Sequence, residues 1–265
     1  MKIGFYGAGK MAEGILQAIL ADGGVKPADV ILAEKVPARA REIARRYGVA
    51  VTDDLVAVAK AADLAFVAVR PQDVAAVAAE VRGVLSAKKL LVSIVAGKTL
   101  AKLRAAFGPK ARLVRVMPNL ALRVKTGMCA VCGAKNAKPA DLKRVRALLG
   151  AAGEVVELKE KAFDAVTALS GSGPAFYAYM EKAMIDGGVA LGLKADVARL
   201  LAEQTMLGTA RYLKATSADL ETFIAGVCTK GGTTAAGMDV MAKSALRKTV
   251  AQTLAAAARR SAELA

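Results

Sequence analysis

Histidine is absent from all 265 residues, and this absence excludes several kinds of active site. A Ser-His-Asp triad, a Cys-His pair and an imidazole metal site all require that residue. Any acid-base step therefore has to use a carboxylate, a lysine, a tyrosine, another hydroxyl or water. The three cysteines are too few, and odd in number, for a disulfide framework, which favours a reducing compartment. We expect no metal site.

Long apolar runs and aromatic side chains are also scarce. The longest stretch without a charged residue covers 165–180, shorter than the roughly 18 apolar residues typical of a transmembrane helix, so we expect no membrane partner. The N-terminal residues lack a signal-peptide pattern, and we expect a cytoplasmic protein. Aromatics make up only 4% and the formal charge of +16 is scattered. This pattern favours small anionic ligands over nucleic acid.

Short apolar runs alternate with helical spacing in the first part of the chain. We predict strands over 3–6, 30–33, 64–69, 90–95, 113–117, 127–133 and 155–158. The intervening helices are predicted over 11–21, 37–47, 73–85, 99–107 and 140–149. Strands and helices that alternate in this way indicate βαβ units, and wholly apolar strands indicate a parallel sheet covered on both faces.

Strand patterns stop after Leu158. Helices are predicted over 163–169, 175–190, 196–213 and 240–260, and they carry small and apolar residues on more than one side. Such helices require burial on several faces, and so short a segment offers few partners of its own. We therefore expect an α/β domain over 1–158 and an all-α domain over 159–265 that packs against a second chain.

The first predicted turn carries a phosphate-binding pattern. Residues 7–12 read Gly-Ala-Gly-Lys-Met-Ala and connect a predicted strand to a predicted helix. Gly7 permits the tight turn and Gly9 permits close approach of a pyrophosphate, while Ala12 lets helix and strand pack closely. The helix N-terminus then favours the anion, with Ala8, Lys10 and Met11 beside it. The alternative is a tight turn without a ligand.

The residues after the second predicted strand bear on the choice of cofactor. Glu34 lies 25 residues beyond Gly9, near the position where an acidic side chain binds the adenosine ribose hydroxyls and disfavours a 2′-phosphate. This favours NADH. Lys35 and Arg39 are close enough in sequence to offset the acid and accept NADPH, so both cofactors stay open.

Two later strand ends are expected to contact the same cofactor. Val69, Arg70 and Pro71 follow the third predicted strand, and Ala96 and Gly97 follow the fourth. The carboxyl ends of parallel strands line the ligand crevice in sheets of this kind. Ordinary loop chemistry is the alternative for these residues.

With these features in place, the chain resembles the pyrroline-5-carboxylate reductase family from residue 2 to about 264. The resemblance rests on Gly-Ala-Gly-Lys-Met-Ala and on five further motifs. These are Val-Arg-Pro-Gln at 69–72, Ser-Ile-Val-Ala-Gly at 93–97, Arg-Val-Met-Pro-Asn at 115–119, Ala-Leu-Ser-Gly-Ser-Gly-Pro-Ala-Phe at 168–176 and Gly-Gly-Thr-Thr at 231–234. It implies a Rossmann-type doubly wound sheet followed by an all-α dimerisation domain.

The resemblance also implies an activity and a set of site residues. Hydride passes from NADPH or NADH to the C=N carbon of 1-pyrroline-5-carboxylate and gives L-proline. The cofactor contacts extend to Met117, Pro118 and Asn119. The substrate carboxylate is bound by backbone N–H groups of Thr229, Lys230, Gly231, Gly232, Thr233 and Thr234, and the Thr234 hydroxyl bonds the imine nitrogen. The assembly is a homodimer or a higher oligomer with shared sites.

Two of the segments that depart from the family pattern bear on the identity of the substrate. Lys230 stands where the family usually has proline, and Leu120-Ala121-Leu122 follows Asn119 in place of the usual Thr-Pro-Ala. Reduction of a different cyclic imine or small oxo acid is therefore an alternative, as is a dinucleotide-binding regulatory protein without turnover. Without the resemblance, a loop and helix cap before Met238 is the favoured explanation of residues 231–234.

Overall fold

A computed structural model describes residues 1–264, which form one eight-stranded sheet and twelve α-helices. The strands are β1 (Ile3–Tyr6), β2 (Val30–Ala33), β3 (Ala50–Thr52), β4 (Leu64–Val67), β5 (Leu90–Ser93), β6 (Arg112–Pro118), β7 (Gly127–Gly133) and β8 (Gly153–Glu157). Their order is β3-β2-β1-β4-β5-β6-β7-β8. The first six strands are parallel in the 3-2-1-4-5-6 order of a doubly wound nucleotide-binding sheet, which confirms the predicted fold class.

Strand β7, which was predicted as one further strand without a direction, runs antiparallel to β6. Only a short irregular connection with a 3₁₀ turn (Leu120–Val124) joins the two strands. A parallel neighbour would need a longer crossover connection, usually an α-helix. Helix α6 (Pro139–Gly150) provides such a crossover, and β7 and β8 are parallel.

Helices cover both faces of the sheet. The remaining helices of this part are α1 (Lys10–Ala21), α2 (Pro37–Tyr47), α3 (Leu55–Ala61), α4 (Val74–Val81), α5 (Leu100–Phe107) and α7 (Phe163–Val166). Helices α1, α2 and α6 contribute to one core with Phe5, and α3, α4 and α5 to the other with Tyr6. Successive strand residues point to opposite faces, so wholly apolar strands supply both cores.

The later helices are α8 (Gly173–Ala190), α9 (Ala195–Thr216), α10 (Leu220–Val227), α11 (Thr233–Lys243) and α12 (Leu246–Leu264). Within the described residues, one compact unit comprises Met1–Ser172 together with residues 256–264, and the other comprises Gly173–Ala255. The boundary expected at residue 158 lies one residue past the end of β8, and as a domain boundary it remains a proposal. In the described chain no helix combines the length and apolar character needed to span a bilayer.

One long predicted helix is wrong. The segment 240–260 contains the end of α11 and most of α12, separated at Ser244. Ser244 is extended (ψ 167°), its hydroxyl donates to the Met241 carbonyl, and its oxygen accepts from the Leu246 N–H. A serine that bonds neighbouring backbone groups competes with the helix, which accounts for the break.

Helices α3 and α10 were not predicted, and each begins at an aspartate cap. Asp54 accepts hydrogen bonds from the N–H groups of Val56 and Ala57, and Asp219 accepts two from Thr222, one from its N–H and one from its hydroxyl. An aspartate immediately before a short apolar run is the sequence signal that would have found both helices.

Candidate functional site

The turn after β1 requires glycine at its first position. Gly7 has φ +96°, and its N–H donates to the Ala33 carbonyl oxygen at 2.8 Å. A Cβ at this position would lie 2.9 Å from the Ala68 carbonyl oxygen. Both the backbone conformation and the close packing against β4 therefore exclude a larger residue.

The second glycine faces open space. Gly9 is the N-cap of α1 with φ −65°, and a Cβ there would meet no atom within 4 Å. The N–H groups of the first helical turn, beginning at Lys10 and Met11, have no intrahelical acceptor and point to this end of the helix. Ala12 is fully buried and lets α1 pack closely. These residues, the phosphate-binding turn (residues 7–9) and the start of α1, fit a dinucleotide pyrophosphate.

A cavity of about 470 Å³ lies at the carboxyl ends of β1, β2 and β4. Its volume is within the usual range for small-molecule sites. It brings together seven of the predicted cofactor residues: Gly7, Ala8, Gly9, Glu34, Lys35, Val69 and Arg70. The other predicted cofactor residues, Lys10, Met11, Pro71, Ala96, Gly97, Met117, Pro118 and Asn119, do not line this cavity.

Glu34 is anchored by two backbone groups. One carboxylate oxygen accepts the Ala8 N–H at 3.0 Å and the other accepts the Val36 N–H at 2.9 Å. The side chain therefore connects the end of β2 to the phosphate-binding turn. Glu34 lines the cavity, and its contact with the adenosine ribose stays a prediction.

Arg39 contacts the same turn from α2. Its Nε donates to the Ala8 carbonyl oxygen at 2.9 Å, and its two terminal nitrogens donate to Glu13 and Glu42 at 2.7 and 2.8 Å. Glu13 also accepts hydrogen bonds from Arg46 and Tyr47. Burial acts to raise the pKa of Glu13, but the bonds and charges of Arg39, Tyr47 and Arg46 hold it below its ordinary value. Sequence spacing gave no signal for this network.

The carboxyl ends of β5 and β6 carry the remaining predicted cofactor residues. Gly97 has φ +70°, and a Cβ there would lie 2.9 Å from Leu264 at the end of α12. Asn119 follows β6, and its side-chain oxygen accepts the Met128 N–H at 3.1 Å. Its side-chain nitrogen donates to the Ser170 hydroxyl at 3.4 Å.

Ser170 belongs to a π turn (Thr167–Gly171) that follows α7. Gly171 packs against Met117, and a Cβ at residue 171 would collide with the methionine Cε. π turns are rare and occur often at functional sites. Ser170 was not among the predicted site residues, although its motif, residues 168–176, was noted.

The predicted substrate segment forms a tight turn followed by a helix. The Gly232 N–H donates to the Thr229 carbonyl at 2.9 Å, and Gly231 has φ +73°, while Lys230 has negative φ. These are the features of a type II turn, in which proline is common at the position that Lys230 occupies. Helix α11 then begins at Thr233. Its N-cap residue, Gly232, has no side chain that could accept a hydrogen bond from the first N–H groups of the helix. The N–H groups at this helix start have no intrahelical acceptor.

The Cys129 and Cys132 side chains face opposite sides of β7, because strand residues three positions apart point in opposite directions. Each belongs to a different buried cluster. Burial raises the pKa of both thiols to about 12. Both are therefore protonated core residues, and neither is a nucleophile at neutral pH.

Comparison with known proteins matches two family models to different parts of the chain. Residues 160–264 match the model described as pyrroline-5-carboxylate reductase dimerisation, and residues 2–97 match NADP oxidoreductase, coenzyme F420-dependent.

Individual relatives cover the whole length. A pyrroline-5-carboxylate reductase of Synechocystis sp. is 38% identical over 264 residues, which is 100% of this chain and 98% of the relative. The structure of the Coxiella burnetii enzyme has a TM-score of 0.95 at 30% identity, and that of the Plasmodium falciparum enzyme with NADP bound has 0.89 at 27%. Each of these two matches covers 100% of this chain and 98% of the chain in the matched structure.

Proposed function

Because the chain belongs to the pyrroline-5-carboxylate reductase family, we propose that it reduces 1-pyrroline-5-carboxylate to L-proline. The observation that carries this proposal is similarity along the whole chain to enzymes of that name. In the balanced reaction, the C=N carbon gains a hydride and the ring nitrogen gains a proton. Bound NADPH or NADH supplies the hydride and leaves as the oxidised dinucleotide.

The residues of the first unit hold the dinucleotide. Gly7 and Gly9 leave room for the pyrophosphate, and the N-terminus of α1 neutralises part of its charge. Ala8 is fixed through Glu34 and Arg39, so the phosphate-binding turn is formed before the ligand arrives. A preorganised turn binds with less loss of conformational freedom.

The substrate loop (residues 229–234) is proposed to bind the imino acid. Gly231 and Gly232 present N–H groups without a Cβ to block an incoming carboxylate. The Thr234 hydroxyl is proposed to bond the ring nitrogen. Such a bond makes the C=N carbon a better hydride acceptor and strengthens as the amine forms, so it stabilises the transition state more than the substrate.

The match of residues 160–264 to a dimerisation domain supports self-association of this chain. Exposed apolar side chains are concentrated in α8 and α9, among them Tyr177, Tyr179, Met184 and Leu200. An apolar groove of about 390 Å³ lies within the same helix pair. Large exposed apolar surfaces are typical of interaction sites. We propose a homodimer as the basic unit, or a higher oligomer built from it. The cytoplasmic location expected from the sequence stays a prediction.

Lys230 supports one alternative substrate assignment. The type II turn accepts lysine where the family usually has proline, so the backbone is kept while an ammonium group is added. The added charge is favourable for a substrate with additional negative charge. A different cyclic imine or a small oxo acid is therefore the second candidate.

A substrate panel distinguishes these proposals. The purified protein is supplied with NADH or NADPH and, in turn, with 1-pyrroline-5-carboxylate, its six-membered homologue and small oxo acids. We expect the highest kcat/KM with 1-pyrroline-5-carboxylate and formation of one proline per dinucleotide oxidised. Preference for another acceptor supports the second candidate. Dinucleotide binding without turnover on any acceptor indicates a regulatory protein.

A further inference from the structure

We infer that Glu34 makes this protein select NADH over NADPH. The inference rests on the proposed function, because it concerns the dinucleotide that the first unit holds. Glu34 follows the last residue of β2 and lines the cavity beside the phosphate-binding turn. In sheets of this type that position faces the adenosine ribose hydroxyls.

The anchoring of Glu34 fixes the direction of its charge. Its two oxygens are held by the N–H groups of Ala8 and Val36 at 3.0 and 2.9 Å. Each carboxylate oxygen keeps a further lone pair. The two oxygens can therefore accept hydrogen bonds from the 2′- and 3′-hydroxyls of a ribose. Rotation away from a 2′-phosphate would break both anchoring bonds. The carboxylate therefore remains in place and repels the phosphate.

Arg39 does not neutralise this charge. All three of its guanidinium nitrogens are engaged, by the Ala8 carbonyl, Glu13 and Glu42, and it does not line the cavity. The hydrogen bond to Glu13 raises its pKa above the ordinary value for arginine, so the pair is stable as an ion pair. Within residues 1–264, no lysine or arginine forms an ion pair with Glu34.

The two cations that do line the cavity are exposed. Lys35 extends from the residue after Glu34, and Arg70 is paired with Asp73 at 2.9 Å. Exposed cations are screened by water and salt, whereas Glu34 is partly buried and held in one position. The repulsion between a 2′-phosphate and the fixed carboxylate of Glu34 therefore outweighs its attraction to the two solvent-exposed cations.

Calorimetric titration of the full-length protein tests the inference without any turnover. Dissociation constants for NADH and NADPH are measured at equal ionic strength. We expect NADH to bind tighter by about tenfold or more. If NADPH binds as tightly as NADH or tighter, the inference is wrong and the proposed function stands. If neither dinucleotide binds, the proposed function is wrong and the inference falls with it.

Two matched variants identify the residue responsible. Glu34→Gln removes the charge but keeps one acceptor for the anchoring N–H groups, and we expect the preference for NADH to fall by about tenfold. Glu80→Gln removes the same charge from α4 at an exposed position outside the cavity, and the ratio should not change. An unchanged ratio in Glu34→Gln, with a melting temperature like that of Glu80→Gln, would overturn the assignment to Glu34. If Glu34→Gln does not fold, the ratio of the NADPH and NADH dissociation constants of the unchanged protein decides, and a ratio that does not favour NADH overturns the inference.

Discussion

The Nε of Arg39 lies 2.9 Å from the carbonyl oxygen of Ala8, so α2 holds the phosphate-binding turn of the preceding βα unit through a charge-assisted hydrogen bond. We predict that Arg39→Met lowers the affinity for NADH and NADPH by similar factors. It also removes one partner of the buried Glu13, which should cost about 2 kcal/mol of folding stability. Calorimetry and thermal unfolding measure the two effects.

The control for this variant is Arg41→Met, which removes an exposed charge from the same helix. It should leave both stability and dinucleotide affinity close to those of the unchanged protein. If Arg39→Met bound both dinucleotides as the control does, Arg39 would have no part in forming the turn.

The two glycines of the turn predict opposite kinds of defect. Gly7→Ala forces an alanine to φ +96° and places its Cβ against the Ala68 carbonyl, so we expect a loss of about 2 kcal/mol or more in stability. Gly9→Ala has ordinary φ and open space, so stability should be nearly unchanged. Its methyl group would occupy the approach of the pyrophosphate, and dinucleotide affinity should fall.

Urea unfolding and calorimetry of both glycine variants decide the matter. A Gly9→Ala protein with normal affinity would show that the pyrophosphate does not cross Gly9. Loss of stability in Gly9→Ala equal to that in Gly7→Ala would contradict the geometry of the turn.

The lowered pKa of Glu13 predicts a loss of stability in acid. Its folded-state pKa is below the ordinary 4.5, so the unfolded chain binds this proton first as the pH falls. The contribution of Glu13 is full above about pH 5 and disappears as the pH falls through the folded-state pKa. At neutral pH we expect Glu13→Gln to cost about 2 kcal/mol, and this difference should shrink in acid. A difference that is constant from pH 7 to about pH 3 would contradict the ion-pair interpretation.

Much of the first unit could be predicted because its strands are short apolar runs between helical segments. The bounds of β1, β2 and β7 and of α2 match the predictions. The turn at Gly7 followed from the motif alone, since its geometry is local.

The elements that escaped prediction depend on contacts distant in sequence or on single polar groups. The Arg39 network requires α2 to lie against α1, which periodicity does not specify. The break at Ser244 follows from one hydroxyl in a segment whose apolar spacing continues through it. The π turn that contains Ser170 likewise depends on packing against β6.

Thr234 is predicted to act on the chemical step. Thr234→Ala removes the hydroxyl proposed to bond the ring nitrogen, and we expect kcat to fall by about 100-fold. Dinucleotide affinity should be unchanged, because the dinucleotide site is in the other unit. Thr234→Ser keeps the hydroxyl and should recover most of the rate. Steady-state kinetics with calorimetry measure both properties, and a Thr234→Ala rate equal to that of the unchanged protein would remove this residue from the mechanism.

Transfer of a labelled hydride tests the central claim most directly. NADH carrying deuterium at the transferable position of the nicotinamide is mixed with the protein and 1-pyrroline-5-carboxylate, and the product is analysed by mass spectrometry and NMR. We predict L-proline with one deuterium on the ring carbon that bore the double bond to nitrogen. Proline without the label, or no proline while the dinucleotide is bound, would contradict hydride transfer to the C=N carbon.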